Sequence, residues 1–309
     1  MPAFSDPAVL AVASAQGDRR ALARLITTLE EGSPGHEEAL AVSFAAVGPT
    51  HRIGVTGAPG AGKSTLTDVL VRLIRAAGHR VAVLAVDPTS PFSGGAVLGD
   101  RVRMQDHVLD DGVYVRSMAS RGHLGGLSAA APKALIALEA ARFPYVIIET
   151  VGVGQDEVEI AGAADTVVVV VTPGWGDAVQ AAKAGILEIG DVFVVNKADR
   201  PGASEAVADL RAMLALGDHP AWMPPIIETV ASRGVGVDTL WEAIGDHLEA
   251  LGTQGVEERR RRRRRGELVA AFADILRARA SEAIRETEVA AAVEAGEIDP
   301  WTGARLLAG

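Results

Sequence analysis

Nine consecutive residues could grip a polyphosphate. Gly57, Ala58, Pro59, Gly60, Ala61, Gly62, Lys63, Ser64 and Thr65 follow the short apolar run 52–56 and precede a helical pattern closed by Gly78. The order G-x4-G-K-S between a strand and a helix is that of a P-loop. Glycines let the backbone turn tightly enough for its N–H groups to converge on phosphate oxygens, and the helix N-terminus adds partial positive charge. In such a loop Lys63 reaches the β- and γ-phosphates and the Ser64 hydroxyl ligates Mg2+. A glycine-rich turn that only caps a helix needs neither the lysine nor the hydroxyl.

A second cluster could read a base. The apolar run 192–195 ends in Asn196, Lys197, Ala198 and Asp199, an N-K-x-D sequence after a strand. The Asp199 carboxylate can accept from both N1–H and the 2-amino group of guanine. Adenine offers neither donor and would leave the carboxylate unpaired, a mismatch far costlier than a lost methylene contact. Asn196 can support the base edge and a neighbouring loop, and the Lys197 stem can lie along the ring face. One strand later, Ala231, Ser232 and Arg233 form a loop whose backbone N–H, at Ala231, could donate to guanine O6; an ordinary strand-to-helix loop is the alternative.

Hard oxygen ligands suit magnesium, and three acids qualify. Glu149 ends the apolar run 145–148 ahead of Gly152, whose N–H could meet the γ-phosphate. Asp87 ends the run 81–86, and Asp100 follows the Gly94-Gly95 pair. Asp87 before Pro88 could equally form a turn, and Asp100 could cap a helix. A Ras-type GTPase carries Gln directly after the switch glycine. Here that position is Val153, with Gln155 two residues on, so slow intrinsic hydrolysis is expected.

Short Val- and Ile-rich runs at 52–56, 81–86, 113–115, 145–150, 166–171, 192–195 and 226–230 alternate with helical segments. This alternation predicts βαβ units and hence an α/β, doubly wound, mostly parallel sheet. Residues 1–50 read as a helical extension, with Leu22, Leu25, Ile26 and Leu29 at helix spacing and a break at 32–35. The sheet domain spans 51–250. Residues 251–309 read as a C-terminal helical arm, with a break at 252–255, seven arginines at 259–265 and a short helix after 287. Seven arginines wrap every face of a helix, so a solvated helix, an acidic protein surface and an anionic polymer or membrane all remain open.

Composition narrows the functions. The 309 residues are 48% hydrophobic but only 4% aromatic, so the core must be aliphatic; the net charge is -10. An acidic body disfavours nucleic acid as a partner. The absence of cysteine excludes disulfides, thiol catalysis and Cys-based zinc sites. The N-terminus does not read as a signal peptide, and no apolar run nears the roughly 20 residues that span a bilayer. A cytoplasmic protein without membrane attachment is expected.

Longer stretches resemble a known family. They are 83–90, with Asp87; 98–104, with Asp100; Gly125-Gly126-Leu127; 149–155, from Glu149 to Gln155; and 173–189, which carries Trp175, Asp177 and Lys183. Together they resemble the MeaB/ArgK GTPases, G-protein chaperones of adenosylcobalamin-dependent acyl-CoA mutases such as methylmalonyl-CoA mutase. The resemblance is clear over about residues 20–250. It implies a P-loop G domain of the signal-recognition/MinD-like (SIMIBI) branch, a homodimer, binding of GTP and GDP with Mg2+, and gated delivery of adenosylcobalamin to the mutase. It places metal and catalytic roles on Ser64, Asp87, Asp100 and Glu149, beside Lys63. It places Asp177 and Lys183 in a further switch that senses the mutase. Trp175, flanked by glycines, suits a contact anchor there, or else packs inward. The seven arginines depart from the family's pattern. A nickel-type metallochaperone GTPase shares the branch but needs His or Cys clusters, and a kinase acting on a transport protein is a further alternative.

Overall fold

The computed structural model describes residues 6–87, 104, 107, 109–119, 130–150, 156–174, 188–215, 222–285 and 287–308, with side chains at all of these except 87, 156–159 and 308. Three helices come first: α1 (Pro7–Ala15), α2 (Arg19–Glu31) and α3 (His36–Ala46). Asp18 caps α2 by accepting from the N–H groups of Arg20 and Ala21, and Gly32 ends it in a left-handed conformation. The periodic residues Leu22, Leu25, Ile26 and Leu29 are all buried. Full burial of each such side chain contributes about 2 kcal/mol.

The sheet then forms from β1 (His51–Gly57), β2 (Val81–Asp87), β3 (Val113–Ala119), β4 (Tyr145–Thr150), β5 (Thr166–Val171), β6 (Val192–Asn196) and β7 (Ile226–Thr229). All seven expected strands are present, in the order β3-β2-β4-β1-β5-β6-β7, and every neighbouring pair is parallel. Between them run α4 (Lys63–Ala76), α5 (Ala131–Ala140), α6 (Asp156–Ala163) and α7 (Ala203–Leu214).

Two aliphatic cores flank the sheet because the side chains alternate. Ala82, Leu84 and Val86 of β2 face one core with α2, α5 and α7. Val81 and Val83 face the other, with Leu66, Leu70 and Ile74 of α4. Strands buried on both faces read as continuous apolar runs, which is why TVVVVV of β5 carries no polar alternation. The order reverses at β1, which lies between β4 and β5, so the crevice at the carboxyl ends beside β1 is where this architecture binds ligands.

A 3-10 turn (Ala231–Arg233), closed by the Val230–Val235 bridge, leads to α8 (Val237–Ile284). The expected break at 252–255 shrinks to one residue. Only Gly252 (φ 58, ψ -179) leaves helical geometry, because Thr253, Gln254 and Gly255 can all continue a helix once the chain has kinked. Two short helices, α9 (Glu288–Glu294) and α10 (Pro300–Ala308), stand where the sequence suggests one. Asp299 separates them and accepts from the N–H groups of Trp301 and Thr302.

Contacts group the chain into one compact unit up to Arg260 and a second from Arg261. The first three helices therefore group with the sheet. Among the described residues no helix is long and apolar enough to cross a membrane.

Candidate functional site

The nine-residue loop lies where β1 ends and α4 begins. Its glycines are dictated by neighbours. Gly57 (φ 134) runs against β5, where a Cβ would strike the Val170 carbonyl oxygen. Gly62 (φ 92) lies against Asn196, whose Nδ2 a Cβ would strike. Helix α4 starts at Lys63 itself, which directs the first-turn N–H groups and the positive end of the helix dipole to the loop. Lys63 is 6% exposed, and its ammonium donates to the carbonyls of Gly57 at 2.7 Å and Ala58 at 3.1 Å. Pro59, Gly60 and Thr65 are exposed, and Ala58 is half-buried.

Ser64 and Glu149 are brought together. The parallel register sets Val55 of β1 beside Glu149 of β4, and the Ser64 Oγ donates to Glu149 Oε1 at 2.5 Å. Both residues are buried. A hydroxyl and a carboxylate side by side under a phosphate loop form a hard-oxygen donor set of the kind Mg2+ takes. The backbone of Asp87 ends β2 one register position beyond the pair Val86–Thr150. The Asp87 side chain and Asp100 lie outside the described residues. Among the described residues no three His, Cys, Asp or Glu side chains gather as a metal site.

The base-reading loop is wired to the phosphate loop. Asn196, 2% exposed at the end of β6, donates through Nδ2 to the Ala61 carbonyl at 2.8 Å. Its Oδ1 accepts from the Thr229 hydroxyl and from the Ala231 N–H, both at 3.1 Å. One side chain thus fixes three loops. Lys197 adopts a left-handed backbone (φ 59), unusual for a lysine and of a kind that clusters at binding sites. Its Nζ donates to the Gly60 carbonyl at 2.6 Å, so the stem is stretched toward the phosphate loop. Sequence reasoning foresaw a support role for Asn196, but nothing in its spacing names Ala61, Thr229 and Ala231 as the partners.

Asp199 stands beside Arg233. Arg233 Nη2 is 2.9 Å from Asp199 Oδ2, with the side chains 60% and 45% exposed. At that exposure the pair adds little stability. Arg233 had only its place in the loop to recommend it. The Ala231 N–H, expected to donate to guanine O6, donates to Asn196 in this structure, and Ser232 is exposed beside it. Gly152, Gln155, Trp175, Asp177 and Lys183 lie outside the described residues.

A family model described as methylmalonyl Co-A mutase-associated GTPase MeaB matches residues 22–285. A relative from Pyrococcus horikoshii is 47% identical over 298 residues, covering 94% of each chain. GTPase ArgK of Escherichia coli is 39% identical over 250 residues, covering 78% of this chain and 75% of that one. Among solved structures, one titled LAO/AO transport system kinase superposes with a TM-score of 0.74 at 27% identity, covering 100% of this chain and 98% of the other.

Proposed function

The chain belongs to the MeaB family of GTPases, and from that premise we propose that it binds GTP with Mg2+, hydrolyses it slowly to GDP, and serves as a chaperone that loads and protects an adenosylcobalamin-dependent acyl-CoA mutase. The single observation that carries the nucleotide reading is Asn196 holding the phosphate loop, β7 and the 3-10 turn at once. That shared support suits a loop that reads the base while its neighbour grips the phosphates.

The roles divide as follows. Loop amides and the Lys63 ammonium hold the β- and γ-phosphates. The Asp199 carboxylate accepts from guanine N1–H and the 2-amino group, with Arg233 limiting its rotation. Ser64, Glu149, Asp87 and Asp100 would hold Mg2+, which, when bound, draws charge from the phosphate oxygens. In sequence, Val153 takes the position after the switch glycine that Gln holds in a Ras-type enzyme, which supports a slow rate that a partner or rearrangement raises.

The mutase role is supported by the family model's description as mutase-associated. In sequence, Trp175, Asp177 and Lys183 come soon after β5, whose carboxyl end lies at the ligand-binding edge of the sheet, an order that suits a switch reporting nucleotide state. Titration calorimetry of the chain against methylmalonyl-CoA mutase, with GDP and with a non-hydrolysable GTP analogue, tests this. Nucleotide-dependent affinity is expected, and no binding in either state would overturn the mutase reading.

A homodimer fits the second compact unit. Leu268, Val269, Phe272, Ile275 and Leu276 recur at helix spacing and are 47–69% exposed. Such a stripe is of the kind a sister helix covers. Light scattering should report a dimer, and Phe272→Glu should shift it toward monomer. The absence of cysteine suits a cytoplasmic location.

A further inference from the structure

At the end of the sheet away from the phosphate loop, three strands begin in a buried polar chain. Thr166 Oγ1, at the start of β5, lies 2.8 Å from His51 Nε2 at the start of β1 and 2.8 Å from His247 Nδ1 of α8. His247 Nε2 lies 3.2 Å from Asp191 Oδ1, and Asp191 immediately precedes β6. Since the Asp191 carboxylate can only accept, His247 donates through Nε2 and accepts at Nδ1 from the Thr166 hydroxyl. Thr166 Oγ1 in turn accepts from His51 Nε2–H.

Helix α8 is fastened to this chain by the first two of the seven arginines. Arg259 forks onto Asp191, with Nη2 to Oδ1 at 2.7 Å and Nη1 to Oδ2 at 2.8 Å, and Nη1 also donates to the Asp165 carbonyl at 2.9 Å. Arg260 Nη2 donates to the Thr50 carbonyl at 2.8 Å. Asp191 Oδ2 also accepts from the Val167 N–H at 2.8 Å, and its backbone carbonyl accepts from Trp222 Nε1 at 2.8 Å. These two arginines are therefore not the solvated charges that a run of seven suggests.

The strands that begin here are those that end at the nucleotide site. β1 runs from His51 to Gly57 of the phosphate loop, β6 runs from Asp191's neighbour to Asn196, and β5 runs from Thr166 to Val171, with Val170 beside Gly57. Each is a short, fully buried rod.

We propose that the Arg259–Asp191 fork couples helix α8 to the nucleotide site, so that whether the site holds GTP or GDP alters how firmly α8 is held, and loosening the fork alters the site's preference between GTP and GDP. Coupling between binding equilibria is reciprocal, and typical values correspond to about 5-fold to 150-fold changes in affinity. Contiguous, packed elements such as these fully buried strands are what can carry it. The coupling rests on the GTP reading above.

The test uses the full chain, as wild type, Arg259→Lys and Asp191→Asn. A lysine keeps the charge but cannot fork onto both oxygens, and the asparagine keeps the shape of Asp191. Binding of GDP and of a non-hydrolysable GTP analogue is measured by calorimetry, and amide exchange in α8 is followed with each nucleotide. Wild type should show different α8 exchange with the two nucleotides, and either variant should narrow that difference and shift the affinity ratio by at least about 5-fold. A uniformly weakened fold would lower both affinities together and leave their ratio unchanged. Folded variants with the wild-type ratio and wild-type exchange differences would overturn the coupling. Failure of the wild type to bind GTP would instead overturn the nucleotide reading.

Discussion

Asn196 and Ala61 are joined across two loops that the sequence separates widely: the Asn196 amide donates to the Ala61 carbonyl at 2.8 Å. The residue that opens the base-reading sequence is thereby a strut of the phosphate loop. Base recognition and phosphate grip share one piece of scaffold, so damage to either loop should be felt by both.

Asn196→Ala should cost about 2–3 kcal/mol of stability, because it leaves the buried Thr229 hydroxyl and Ala231 N–H without their acceptor. Thermal or urea unfolding checks the loss. Nucleotide affinity should fall at the same time, for ATP as much as for GTP, since the strut positions the phosphate loop.

Ser64→Ala removes the hydroxyl that sits on Glu149. Nucleotide binding should lose its response to Mg2+, and hydrolysis should fall by about 100-fold, the scale set by loss of one charge-stabilising group in a transition state. Titrating Mg2+ against the wild type and the variant checks both effects. A variant with undiminished Mg2+ dependence would remove Ser64 from the ligand set.

His51 gives the fold a pH dependence. Burial pushes the imidazole down from 6.5 to about 4; His247 and Arg260 push the same way, while Asp165 and Asp191 oppose them. The unfolded chain therefore takes up a proton between those two values that the folded chain refuses. The stability contribution is full above 6.5 and drains away as pH falls toward 4, by about 3 kcal/mol over the whole window. Asp191 adds its own loss only lower. Burial raises its carboxyl, but hydrogen bonds from His247 and Arg259 outweigh that and hold it below its ordinary 3.8. Urea unfolding at about pH 7.5 and about pH 4.5 spans most of the His51 step, and His51→Asn should flatten it.

Much of the fold was legible because it is written in local patterns. The runs of β1, β2, β4, β5 and β6 are apolar on both faces, and glycine, lysine and serine mark the turn into α4 at fixed spacing. The buried face of α2 could be read from Leu22, Leu25, Ile26 and Leu29. What stayed hidden depends on distance. Arg52 and Glu139 form a buried ion pair at 2.7 Å across 87 positions of sequence. Lys197, with its left-handed backbone, donates to the Gly60 carbonyl, a partner 137 positions away that its spacing does not name. Arg259 looks like its six neighbours in sequence, and nothing in the run names Asp191 as its partner. The length of the break near Gly252 was misjudged for a local reason, since threonine and glutamine after a kink can resume a helix at small cost.

The most direct measurement is equilibrium binding of GTP and ATP, each with Mg2+, to the wild-type chain and to Asp199→Asn. GTP should bind at least about 100-fold more tightly than ATP, as expected where a carboxylate is built to receive two donors, and the substitution should erase most of that ratio. Equal affinity of the wild type for the two nucleotides, or an unchanged ratio in the variant, would contradict guanine recognition by Asp199.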